Sequence, residues 1–182
     1  MEIEISDRRV ECVLSPWVTL VTHNVRFPGS LAEKEFHSFK QVDYVSMLAV
    51  TTDARIPLVR QYRPALEQFT LELPSGLLEP GEEPAEAASR ELMEETGLVA
   101  GPTVMKIGHF VVDSGRLENR LWAFFTNSVS PQQQTGWQPD PQVECFLVSK
   151  NELKELILKG QFEHGPHLAV LGQAMAHGCF SF

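Results

Sequence analysis

Apolar and polar positions change rhythm several times along the chain, and each change marks an element. Over 17–27 (WVTLVTHNVRF), 43–51 (DYVSMLAVT) and 56–63 (IPLVRQYR), β-branched and aromatic residues crowd together as they do in strands. The segments 104–112 (VMKIGHFVV) and 120–129 (RLWAFFTNSV) read the same way, with the loop DSGRLEN between them. The turn-like TTDAR ahead of IPLVRQYR predicts a hairpin joining the second and third of these strands. The period lengthens to that of a helix in PAEAASRELMEETG (84–97), SKNELKELILKG (149–160) and HLAVLGQAMAHG (167–178). Pro84 suits a first turn, Gly97 a helix end, and Ser149 an N-cap. Strands and helices mix without regular βαβ alternation. That pattern predicts an α+β chain, an α/β/α sandwich on a mixed sheet, with a small N-terminal β element over residues 1–40 and the main domain over 41–182. The Pro-, Gln- and Gly-rich stretch 130–142 reads as a long mobile loop.

Composition narrows the class. The chain has 182 residues, 43% hydrophobic and 21% charged, enough for one well-buried globular core. Its formal net charge of -9 argues against a broad grip on nucleic-acid phosphates. Cys12, Cys145 and Cys179 are odd in number and far apart, so neither a disulfide framework nor a zinc spacing emerges. The N-terminus carries no apolar leader and no stretch is long enough to span a membrane, so the expected compartment is the cytoplasm.

Within that acidic chain the helix at 84–97 is unusual. Glu91 and Glu95 are four apart and Glu94 is three from Glu91, so three carboxylates share one side, while Ala85, Ala88 and Leu92 form an apolar stripe opposite. Arg90 stands four before Glu94 and can pair with it. Two unit charges ~4 Å apart repel by about 4 kcal/mol at an effective dielectric near 20. Acids in the last turn also sit at the unfavourable end of the helix dipole. One arginine cannot balance three acids, whereas a hard divalent cation with oxygen ligands, magnesium or manganese, can. The competing explanation is a solvated acidic face on a surface helix.

The full stretch decides between them. GLLEPGEEPAEAASRELMEETGL, residues 76–98, has Gly76, five residues, Glu82, seven residues, then Arg90-Glu91-Leu92, Glu94-Glu95 and Gly97-Leu98. It resembles the Nudix box at every position. The resemblance implies a loop–helix–loop that holds catalytic divalent metal. Glu91 and Glu95 would be the chief ligands, Glu94 a further ligand or a water-organising group, and the carbonyl of Ser75 or Gly76 another contact. Arg90 would orient the acids, and Glu82 would brace the loop.

The flanks suggest the substrate. LVRQYRPALEQFTLELPSG (58–76) resembles the segment ahead of the box in ADP-ribose and nucleotide-sugar pyrophosphatases. By that likeness Arg63 and Arg60 would reach a diphosphate or ribose phosphate. Glu72 would contact substrate or support the metal loop. Trp17 matches a tryptophan that stacks on adenine in dimeric relatives, which implies a homodimer with residues 1–40 exchanged between subunits. Two departures stand out. The turn Asp113-Ser114-Gly115 lacks the proline usual in ADP-ribose hydrolases of this group, and it is followed by Arg116, Glu118 and Asn119, which could face a sugar or phosphate. The position often held by a glutamate base is Pro141 or Gln142 here. Asp140, Glu144 or a box glutamate is left to activate water.

The expected function is therefore metal-dependent hydrolysis of the diphosphate of ADP-ribose or a related nucleoside diphosphate sugar. The rivals are hydrolysis of nucleoside triphosphates or dinucleoside polyphosphates, and a non-catalytic nucleotide-sugar sensor, which would lack box glutamates. The histidines, His164 and His167 among them, show no zinc-like spacing and are expected to be structural.

Overall fold

The computed structural model describes residues 2–131, 138 and 140–182. Most of the predicted loop 130–142 lies outside these residues. The chain divides into two compact units, one running through Asp43 and taking in Val111–Arg120, the other comprising Tyr44–Phe110 and Leu121–Phe182.

The first unit is an antiparallel sheet of β1 (Glu4–Ser15), β2 (Val18–Arg26) and β3 (Glu33–Gln41), in the order β1-β2-β3. Only β2 falls among the strands expected from the periodicity. β1 is exposed along almost its whole length, so no buried face imposes an apolar alternation on its sequence. The segment 111–120 is tied to β3 by backbone bonds between Phe39 and both Arg116 and Glu118. Glu118 reinforces the tie by accepting hydrogen bonds from Ser38 (2.5 Å) and Arg8 (2.8 Å).

The second unit is a layered α+β assembly. Strand β4 (Tyr44–Ala49) pairs in parallel with β10 (Arg120–Thr126) and antiparallel with β7 (Ser75–Leu77), in a mixed sheet of order β7-β4-β10-β9, where β9 is Met105–Val111. A second sheet, β12-β5-β6, brings together Val143–Ser149, Arg55–Arg63 and Gln68–Glu72. A short pair joins β8 (Leu98–Ala100) to β11 (Val129–Pro131). The expected hairpin between β4 and β5 does not form. Both edges of β4 are taken, so β5 pairs with β12 and β6 instead.

Helix α1 (Pro84–Thr96) buries Ala87, Ala88 and Leu92 against Val45, Met47 and Ala49 of β4 and Phe124 of β10. The apolar stripe is thus centred on Ala87 and Ala88, with Ala85 only partly covered. Small side chains let the helix axis lie close to the sheet. Pro84 stands in the first turn, and Gly97 ends the helix with a φ of 68°, its N–H bonding Met93 O. Helix α2 (Lys150–Leu158) opens on a capping box between Ser149 and Glu152. Helix α3 (Gly165–Ala176) contacts β4 as well, and Ser46 and Leu48 of that strand alternate away from α1. Among the described residues no helix is long and apolar enough to cross a membrane.

Candidate active site

Three elements of the second unit meet around the acids of α1: the helix itself, the segment Glu72–Leu77 that contains β7, and the start of α3. Glu91 reaches from α1 to the backbone at Gly76, where a β-carbon would overlap its carboxylate. Gly76 is therefore required for close approach rather than for unusual backbone geometry. One turn later, Glu95 accepts a hydrogen bond from the Ser75 amide at 2.9 Å. Glu94, 51% exposed, faces solvent.

Arg90 ties the acids to the loop. Its Nε and Nη2 donate to the two oxygens of Glu82 at 2.8 and 2.9 Å, its Nη1 donates to Glu91 (2.7 Å) and Glu94 (3.1 Å), and Nη2 also meets Leu77 O at 3.2 Å. Glu82 in turn accepts from the Glu79 amide at 3.1 Å, which closes the loop ahead of the helix. Glu82 is held below the usual carboxylate range, chiefly by Arg90. Glu91 is raised, because burial outweighs its bond to Arg90. Glu95 goes further, to about 8: burial raises it, the Ser75 amide only partly offsets this, and the charges of Glu91 and Glu72 add to the rise. A carboxyl raised this far, first by its own burial and then by the acids around it, marks a place short of positive charge.

Beside this cluster, Arg63 grips Glu72 with Nε and Nη2 at 2.7 and 2.6 Å, and Thr70 donates to the same carboxylate at 2.6 Å. Glu72 is 1% exposed. Burial alone would raise it, but the Arg63 and Thr70 bonds outweigh that and bring it to about 2, so the pair stays charged. Arg63, Glu72, Ser75 and Gly76 line a cavity of about 250 Å³ together with Tyr44, Gln61, Leu77 and His164.

The structure does not bring every expected residue here. Arg60 and Arg63 are an odd number apart on β5 and so point to opposite faces. Glu144 lies directly across from Arg60 in the β12–β5 register, and the two pair at 3.1 Å. Arg60 also lies over the Phe69 ring, 4.0 Å from its centroid. Asp140 accepts the Gln142 amide at 2.8 Å in a turn before β12 and lines a cleft with Arg60, Phe69 and Glu144. Strand alternation thus sends Arg60 and Glu144 to the face of the β12-β5-β6 sheet away from Arg63 and Glu72, and Asp140 shares their cleft.

Trp17 and Arg116 belong to the first unit. Trp17 lies between β1 and β2, is 61% exposed, and lines a shallow pocket with Val13, Pro16 and Lys40, so it is not a core residue. Arg116 sits in the turn after Gly115, 3.8 Å from Asp113, with an exposed side chain. Sequence reading missed Tyr44, Gln61 and His164 as cavity residues. The period of two that puts Gln61 and Arg63 on one face of β5 was the available signal for Gln61.

Comparison with known proteins places this geometry. A model of the NUDIX domain matches residues 40–171. An ADP-ribose pyrophosphatase of Bacillus subtilis is 33% identical over 141 residues, 77% of this chain and 75% of that protein. An ADP-sugar pyrophosphatase of Mus musculus is 44% identical over 149 residues, 76% of this chain and 66% of that protein. Among solved structures, that of an ADP compounds hydrolase superposes with a TM-score of 0.80 over 99% of this chain and 98% of that one, at 18% identity, a likeness of fold.

Proposed function

The chain belongs to the Nudix family, and from that membership we propose that it hydrolyses the diphosphate bond of ADP-ribose or a related nucleoside diphosphate sugar, giving a nucleoside monophosphate and a sugar phosphate. The observation that carries this reading is the convergence of Glu91 and Glu95 on the Ser75–Gly76 backbone, next to a cavity bearing Arg63.

The donor set suits a divalent cation. Glu91, Glu95 and the Ser75 and Gly76 backbone offer oxygens only, with Glu94 within reach on the next turn, and the rise of Glu95 to about 8 is a deficit that such a cation removes. Magnesium, or manganese in its place, supplies neutralisation of the diphosphate and a more acidic bound water. The protein's own groups do the rest. Arg90 holds Glu91 at the site and bonds the more exposed Glu94, and Glu82 fixes Arg90, so the acids are oriented before substrate arrives. Arg63, fixed by Glu72, leaves Nη1 for a phosphate oxygen. Glu94 or Glu95 takes up the proton of the attacking water, since Glu144 lies on the other sheet face and Asp140 shares its cleft.

A homodimer fits the exposed apolar residues of β1, with Ile5, Val10 and Val13 each at least 59% exposed. In such a dimer Trp17 stacks on the base and Arg116 meets the sugar or phosphate, with the N-terminal element exchanged between subunits. The cytoplasm suits three free cysteines. The test is purified protein with magnesium against a panel of nucleotide sugars, nucleoside triphosphates and dinucleoside polyphosphates in heavy-oxygen water. Cleavage confined to nucleotide sugars supports the reading, and the labelled fragment identifies the phosphorus attacked. Preference for triphosphates, or binding without cleavage, would overturn it.

A further inference from the structure

At the start of α3, His164 lines the same cavity and His167 packs behind it. His167 is fully buried, and its Nδ1 accepts the Leu73 amide at 3.1 Å. A backbone N–H can only donate, so Nδ1 is bare and the proton of the neutral ring resides on Nε2. That Nε2 is buried and has no partner among the described residues. Its neighbour His164 has a deficit of its own. The ring centroids are 4.1 Å apart, and His164 Nδ1 is likewise buried and unpartnered. With His164 Nδ1 bare, a small rotation would let it accept from His167 Nε2 and remove both deficits. With Nδ1 accepting, the His164 proton is on Nε2, the nitrogen left to meet a ligand. Burial lowers both rings, His167 to about 3, so neither carries charge at neutral pH.

The arrangement points away from a metal centre, although one nitrogen of each ring and a Glu72 oxygen lie within 4.8 Å of one another. A cation between the rings would need His167 Nε2 bare, and the Leu73 amide already requires Nδ1 to be bare. Glu72 is also occupied by Arg63 and Thr70. A second unpartnered buried donor, Gln61 Nε2, belongs to a residue of the same cavity wall. Among the described residues, three of the six buried side-chain atoms without partners therefore belong to this wall or to the ring stacked behind it, and two of the three are donors. Gln61 Nε2 and the remaining His164 Nε2, beside Arg63 in a space of about 250 Å³, fit an anionic group such as one phosphate rather than a whole dinucleotide.

We propose that His164 is a substrate-contacting residue that presents a neutral Nε2–H to a phosphate oxygen beside Arg63, and that His167 is a positioning residue that fixes its tautomer through the Leu73 amide. The proposal rests on the functional reading above for the identity of the ligand, but the tautomers can be read without turnover. Long-range ¹H–¹⁵N spectra of the whole protein should show both rings protonated on Nε2, and His167→Asn should release His164 to a mixture of tautomers. His164→Ala should raise KM for ADP-ribose, and weaken inorganic pyrophosphate titrated in the presence of magnesium, by about tenfold. The change in kcat should stay within about twofold, and His164→Gln, which keeps a donor at similar reach, should recover most of the loss. A His167 protonated on Nδ1 overturns the proposal, as does a His164→Ala enzyme with unchanged KM and pyrophosphate affinity. A stoichiometric zinc complex lost in both histidine variants overturns it as well. If wild-type protein cleaves no nucleotide sugar, the catalytic reading fails by itself, while the spectra and the pyrophosphate titration still decide the role of the pair.

Discussion

Gly76→Ala isolates the geometry of the acidic cluster from its chemistry. The substitution adds one methyl group and leaves every carboxylate in place. Gly76 does not have a left-handed φ, so alanine meets no backbone penalty there. The new β-carbon would nonetheless lie inside the 3.4 Å of ordinary contact from all three atoms of the Glu91 carboxylate group. That group is the end of a flexible side chain, so the side chain yields rather than the backbone. Glu91 must retreat by about 1 Å, and a misplacement of that size costs on the order of a hundredfold in rate. Retreat also strains its 2.7 Å bond to Arg90, which still holds Glu82 and Glu94 and should keep the loop folded. The assay is kcat/KM for ADP-ribose over a magnesium titration, beside thermal melts of both proteins. The expected outcome is a loss of about a hundredfold, a shift to higher magnesium for half-maximal rate, and a melting temperature within about 3 °C of wild type. Wild-type rate and magnesium dependence in Gly76→Ala would falsify the assignment of Glu91 to the metal site.

Glu95→Gln should abolish magnesium-dependent turnover and leave the fold intact; activity close to wild type would remove Glu95 from the ligand set. The raised Glu95 also carries a stability signature. A folded value of about 8 above the ordinary 4.5 means that stability present at low pH is lost as pH rises through 8. In chelator at pH 9 the Gln variant should melt several degrees above wild type, the equivalent of about 1–3 kcal/mol after allowance for solvent screening, and equal melts at that pH would contradict the charge deficit. Acid acts through other groups with the opposite sign. His167 falls from 6.5 to about 3 and Glu72 from 4.5 to about 2 on folding, so stability should decline as pH drops below 6.5 and further below 4.5. Urea unfolding should show a slope of at most about 1.4 kcal/mol per pH unit from His167 between 6.5 and 4.5, and His167→Asn should flatten it; an unaltered slope assigns the effect elsewhere. Trp17→Ala should raise KM for adenine-containing substrates, by about tenfold for a lost stacking contact, and an unchanged KM takes Trp17 out of the base site.

What could be read from the sequence was what short-range geometry controls. The carboxylates of α1 stand three and four apart, and a helix turns that spacing into one face whatever surrounds it. Pro84, Gly97 and Ser149 mark helix ends by local backbone chemistry, and the structure has them at those ends. Strand partnership is different, since Tyr44 pairs with Leu121, far along the chain, and nothing in TTDAR announces it. The substitution of a sheet partner for a hairpin partner follows from that distance. Arg60 is a case where the signal was present and went unused: three residues from Arg63 on a strand, it had to face the other way. His167 and Leu73 come together only because α3 returns to the segment ahead of β7, and no local pattern encodes that return.

The distribution of positive charge explains why the acids need something the chain does not supply. Arg90 makes bonds to three carboxylates and a carbonyl, and its pKa is raised, first by Glu82, so it is committed to the loop. Arg63 devotes two of its donors to a nearly inaccessible Glu72, which leaves one nitrogen for an incoming anion. Glu95 has no ion pair among the described residues, only the Ser75 amide. A diphosphate entering this site brings at least two further negative charges to a protein of net charge -9. Repulsion of about 4 kcal/mol per close pair, at a dielectric near 20, would exclude it from the metal-free site. Binding and charge balance are therefore linked: substrate affinity should fall steeply in chelator even where no bond is broken, and affinity unchanged by chelator would refute that link.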